Sequence, residues 1–66
     1  MDAQVLDLLK RKLEEKRLEI VEDLGDGVAT DYADYQNLCG VIRGLLTAQR
    51  EINDLLQKVK EHDDSL

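Results

Sequence analysis

Apolar residues recur at steps of three and four through two long stretches of this chain, with one short break between them. The first series is Leu6, Leu9, Leu13, Ile20 and Leu24, with Arg17 standing where another apolar residue falls due. Steps averaging about 3.6 residues mark one face of an amphipathic helix. Val5 and Val21 widen that face. The second series, Tyr35, Leu38, Ile42, Leu45, Gln49, Ile52, Leu56 and Val59, alternates strictly between steps of three and four, the spacing of a heptad stripe. The pattern predicts a helix over about residues 2–24 and a longer one over about residues 28–61. Asp2 and Asp7 suit the positive end of the first helix dipole.

The break is Leu24-Gly25-Asp26-Gly27. Gly25 is the expected left-handed C-cap of the first helix, and Asp26 or Thr30 the expected N-cap of the second. A turn over residues 25–27 makes the helices antiparallel neighbours. The expected fold is all-α: one domain over residues 1–66, an antiparallel two-helix hairpin that completes a helical bundle by self-association or by docking on a partner. The tail His62-Asp63-Asp64-Ser65-Leu66 carries acidic charge where the helix dipole is negative and is expected to fray.

A hairpin mirrored about Asp26 brings Met1 level with Glu51. Ile52, Leu55, Leu56 and Val59 then extend past the first helix. Leaving such side chains wet forfeits roughly 1.5–3 kcal/mol each, a loss comparable to the whole stability of a small domain. A coiled-coil-like partner is expected to cover them, or the last turns are expected to stay disordered until a partner arrives. The predicted partner interface comprises Tyr35, Gly40, Gly44, Ala48, Ile52, Leu55, Leu56 and Val59.

Composition narrows the options. A chain of 66 residues buries only about 60% of its unfolded surface, so it needs cross-links, a metal, very good packing or partners. Its single cysteine forms no internal disulfide, and one cysteine with one histidine falls short of a four-ligand zinc site. Charged residues make up 36%, and proline, tryptophan and phenylalanine are absent, a profile of long helices. The net charge of −6 opposes binding to nucleic-acid phosphates and to anionic membranes. No signal peptide is expected, and no apolar run approaches the roughly 18 residues of a membrane span.

Gly40 and Gly44 sit four apart on one helical face, continuous with Ala33 and Ala48. Each mid-helix glycine costs about 1 kcal/mol relative to alanine. One reading is a face where another helix approaches closely; the other is a tolerated weak spot or a bend. Cys39 reads as a small buried hydrophobe, because a catalytic thiol needs a base and His62 lies far along the same helix. Tyr32 and Tyr35 either cap the open end of the core or anchor an interface.

Lys10, Arg11, Lys12, Lys16 and Arg17 flank the first stripe and are expected to pair with Asp31, Asp34, Glu51 or Asp54 across the helices. Asp23, Asp26, Asp31 and Asp34 lack the alternation and the glycine and glutamate positions of a calcium loop, so they read as caps. Gln49 and Asn53 interrupt the second stripe and are expected to set register or oligomeric state. No phosphate-binding glycine loop, nucleophile elbow or metal-ligand spacing occurs. No enzyme activity, cofactor or metal is expected.

The runs Asp31-Tyr32-Ala33-Asp34-Tyr35 and Leu38-Cys39-Gly40-Val41-Ile42-Arg43-Gly44-Leu45, with the Ile52–Leu56 segment, resemble short helical-hairpin proteins of tailed bacteriophages. The resemblance covers about half the chain and implies a phage virion or assembly component, located in the host cytoplasm or incorporated in a virion. The layout is also similar to the plasmid copy-number RNA-binding hairpin, a short acidic two-helix chain that dimerises. A phage regulator that binds a host or viral protein and an RNA-binding hairpin dimer are the alternative expectations.

Overall fold

The computed structural model describes residues 2–64; Met1, Ser65 and Leu66, and the side chains of His62, Asp63 and Asp64, lie outside it. Two helices, α1 over Ala3–Gly25 and α2 over Tyr32–Asp64, pack against each other, and the described residues contain no strand. The result is a rod of 53 × 15 × 14 Å, the length of α2 alone at about 1.5 Å per residue.

Both helices begin on an aspartate. Asp2 caps α1 by accepting a hydrogen bond from the Gln4 amide at 2.9 Å. Asp31 caps α2, its Oδ1 accepting from the Asp34 amide at 2.8 Å. Asp34 reaches back to accept from the Thr30 amide at 3.1 Å. The N-cap is therefore Asp31, not Asp26 or Thr30, and Thr30 contributes as a donor to Asp34. These pairings satisfy amides that have no partner inside the helix.

The end of α1 also differs from expectation. Gly25 is still helical, and Gly27, at φ 79°, is the only described residue with positive φ. The Gly27 amide donates to the Leu24 carbonyl and the Val28 amide to the Asp23 carbonyl, both at 3.1 Å. This pair of bonds is the Schellman closure, which places the left-handed residue one position beyond the cap. With the left-handed glycine two residues later than expected, the connection runs from Asp26 to Asp31 and the turn is not confined to residues 25–27.

Two cross-helix hydrogen bonds set the register. Lys10 Nζ donates to Asn53 Oδ1 at 3.0 Å, and Arg17 Nε donates to Gln49 Oε1 at 2.9 Å. The partners' numbers total 63 and 66, against 52 for a hairpin mirrored about Asp26. On this register Ala3 stands level with about residues 60–63, and Gly25 with about residues 38–41. The overhang at the C-terminal end of the second helix therefore does not exist in the form expected. Leu56 is 4% exposed, as is Leu6 at the same level of α1. Ile52 and Val59 are half-buried. The uncovered end of α2 is the opposite one, its first two turns.

The core is thin. Leu6 and Leu56 are its only fully apolar buried members among the described residues, joined by the buried amide of Gln49. Leu13, Ile20, Leu24, Leu38, Ile42 and Leu45 are half-buried. Two helices form a single layer, so each covers one side of the other and leaves its flanks open. The helical backbone continues to Asp64, past the expected end near residue 61; the expected fraying of Ser65 and Leu66 falls outside the described residues.

Candidate partner interface

Among the described residues two unpartnered surfaces are outlined by grooves along α2. The first lies on the exposed N-terminal turns of α2. Tyr32 is 68% exposed; its ring stacks on that of Tyr35, with centroids 6.3 Å apart and planes 19° from parallel. Gln36 Nε2 donates to the Tyr32 hydroxyl at 2.8 Å, which holds the outer ring in place. With Cys39, Gly40 and Arg43, these side chains line an open groove along α2. They run along one flank of α2, with Tyr35 at the margin of the stripe. The Tyr35 phenol is held above its ordinary value, chiefly by hydrogen bonding and charge interaction with the neighbouring Cys39 side chain. Cys39 itself is half-buried beside this tyrosine, not enclosed in the core.

Both glycines face open space. A methyl group added at Gly40 or Gly44 meets nothing within 4 Å. The close approach expected for this face is therefore not made by α1. Ala48, on the same flank, is half-buried.

The second surface lies at the end of the hairpin that holds the start of α1 and the end of α2. Val5, Leu8 and Leu9 of α1 are exposed, Val5 by 58%, and Leu55 of α2 is 40% exposed. Val5 and Leu9 occupy one flank of α1, and Leu55 with Val41, Gly44 and Ala48 one flank of α2. In an antiparallel pair with the observed register these flanks turn to the same side of the hairpin. Glu51, Ile52, Asp54, Leu55 and Lys58 outline a second groove there.

Of the predicted interface residues, Tyr35, Gly40, Gly44 and Leu55 stand at the surface, Ala48, Ile52 and Val59 are half-buried, and Leu56 belongs to the hairpin's own core. They do not form one seam: Tyr35 and Gly40 belong to the aromatic groove, Leu55 to the apolar end. No family model matches the chain, and neither does any curated protein or solved structure.

The charged residues are arranged differently from expectation. Among the described residues the one ion pair is Arg11 with Asp7, 3.0 Å apart within α1 and well exposed. The expected pairs to Asp31, Asp34, Glu51 and Asp54 are replaced for Lys10 and Arg17 by the amide oxygens of Asn53 and Gln49. Among the described residues no three potential metal ligands cluster, and no helix is long and apolar enough to cross a membrane.

Sequence reasoning missed Val5, Leu8, Leu9, Val41, Gln36 and Arg43 as surface features. Val5 was legible as a widening of the first stripe. A stripe broader than the single helix it faces leaves its margin outside.

Proposed function

We propose that this chain is a non-enzymatic structural protein that acts by helix packing, as a component of a phage virion or of its assembly. The observation that carries the reading is the apolar surface left open by a two-helix layer, at Val5, Leu8, Leu9 and Leu55. Contiguous exposed apolar patches on small proteins mark interaction sites. The aromatic groove adds two tyrosines and an arginine, residue types enriched among the anchors of protein interfaces. The phage context rests on the resemblance of the Asp31–Tyr35 and Leu38–Leu45 runs to short phage hairpin proteins.

The test is particle composition. Phage particles carrying a tagged copy of this chain are purified by density and their protein content is quantified. The expected result is a fixed copy number per particle, or per assembly intermediate. Recovery solely in the soluble fraction overturns the assembly role. Retention on RNA that falls steeply with salt would assign the protein to RNA binding instead.

A further inference from the structure

We infer that the apolar end of the hairpin is covered by a second copy of this chain, in a two-fold dimer that sets α1 of each protomer across α2 of the other with like ends together. The inference rests on the helix-packing reading and names its partner.

Area is the first argument. A compact monomer of 7.5 kDa exposes roughly 4,250 Å² by the size scaling of folded proteins. This chain exposes 5198 Å², an excess of about 950 Å². A standard protein–protein interface takes about 800 Å² from each partner. One further two-helix layer of the same size is the smallest object that turns this layer into a two-layer bundle with an interior.

Self-complementarity is the second argument, and it selects the symmetry. Along the relevant flank of α1 the order from the free end toward the connection is Val5, Leu9, Lys12, Lys16, Glu19, then Asp23. Along the matching flank of α2 the order is Leu55, Glu51, Ala48, Gly44, then Val41. A two-fold axis parallel to the rod lays α1 of one copy over α2 of the other at the observed register. Leu9 then meets Leu55, with Val5 about one turn nearer the end of the rod, Lys12 and Lys16 reach Glu51, and the stem of Lys16 lies over the small Ala48. The two-fold perpendicular to the rod lays α1 over α1 with ends reversed. It sets Lys12 and Lys16 against their own copies, and Val5 and Leu9 against Asp23 and Glu19. Like charges in register disfavour that arrangement. Lys12, Lys16 and Glu51 are exposed, and among the described residues they join no ion pair.

The test uses the full chain and two charge-reversed variants, Glu51→Lys and the double variant Lys12→Glu with Lys16→Glu. Light scattering of the parent chain is expected to give twice 7.5 kDa. Each variant alone is expected to dimerise about ten- to a hundredfold more weakly, from several exposed charge contacts changing sign. An equimolar mixture is expected to recover the dimer as a mixed species in native mass spectrometry, since every reversed contact becomes attractive across the interface. Repulsion inside one chain would not be relieved by mixing. Leu55→Asp, at a position outside the core, is expected to weaken the dimer by on the order of a hundredfold or more. A parent dimer that both charge variants form as tightly overturns this interface. A mass of 7.5 kDa at all concentrations overturns the second copy. Circular dichroism then separates the two proposals. A monomer with little helix leaves the helix-packing reading standing with a different partner. A monomer that is fully helical and melts cooperatively alone likewise removes the second copy, and that reading then falls only if the chain is also missing from purified particles.

Discussion

The two ends of α2 carry the same kind of stripe and meet different fates. At the C-terminal end, Leu56 lies under α1 and is 4% exposed. At the N-terminal end, Tyr32 and Tyr35 stand on two turns that α1 does not reach. From periodicity alone the ends are equivalent, and the mirrored hairpin assigns the overhang to the wrong one. An amphipathic stripe says that a helix will be covered along one face; the register says where along its length.

The comparison breaks most sharply at its covered end. Leu56→Ala or Leu6→Ala removes one of the two buried leucines and is expected to cost about 2–5 kcal/mol, enough to unfold so small a chain. Tyr32→Ala is expected to change stability by less than about 0.5 kcal/mol, as surface substitutions do. Thermal melts by circular dichroism at one fixed concentration measure both; equal effects at the two ends would refute the register.

The polar layer comes next. Gln49→Ala removes the acceptor of Arg17 and is expected to cost about 1–3 kcal/mol, read by urea titration. Gln49→Leu fills the same space and is expected to cost less, while loosening the register that Arg17 and Gln49 define. A Gln49→Leu chain with wild-type stability and register would show that the hydrogen bond is incidental.

The glycines offer a smaller contrast of opposite sign. Gly27→Ala forces a methyl-bearing residue to φ 79° and is expected to destabilise by about 1 kcal/mol. Gly40→Ala places a methyl in open space on a helix and is expected to stabilise by about 0.5–1 kcal/mol. A loss at Gly40 would mean that the groove face is covered in solution.

The smallest effect is spectroscopic. With its phenol held above the ordinary value of 10.0, Tyr35 keeps its proton in the folded state after the unfolded chain has lost it. Its contribution to stability is therefore complete below pH 10.0 and declines as pH rises beyond it. Cys39→Ala is expected to move the Tyr35 transition downward in an ultraviolet tyrosinate titration. An unchanged transition would show that the thiol does not act on Tyr35.

Much of the architecture is readable from residue order alone. The two stripes mark both helices to within a few residues, and the Gly-Asp-Gly break locates the reversal. Gln49 and Asn53 announce themselves as register-setting residues by standing in an apolar stripe. The cap is not readable in the same way, because two glycines two apart serve a left-handed position equally well in sequence; the Schellman bonds from Gly27 and Val28 decide between them. Placing it at Gly25 shortens the connection, moves the overhang to the wrong end and assigns Leu56 to a partner. The ion pairs escape sequence reasoning because Lys10 and Arg17 reach amides on the facing helix that a count of charges does not rank against carboxylates.

Residue types and their period by themselves determined that this chain is helical, reverses once and shows an apolar face along each helix. The tertiary structure alone decided how the helices slide against each other. The physical reason is that an apolar stripe nearly repeats with each helical turn, about 5.4 Å, so a shift by a turn or more still sets leucine against leucine. Polar groups held between the helices remove that degeneracy, because a register that leaves them without a partner costs free energy. Here they are the Arg17–Gln49 and Lys10–Asn53 bonds, together with the length of chain from Asp26 to Asp31, and they settle which apolar residues the hairpin keeps and which it leaves exposed.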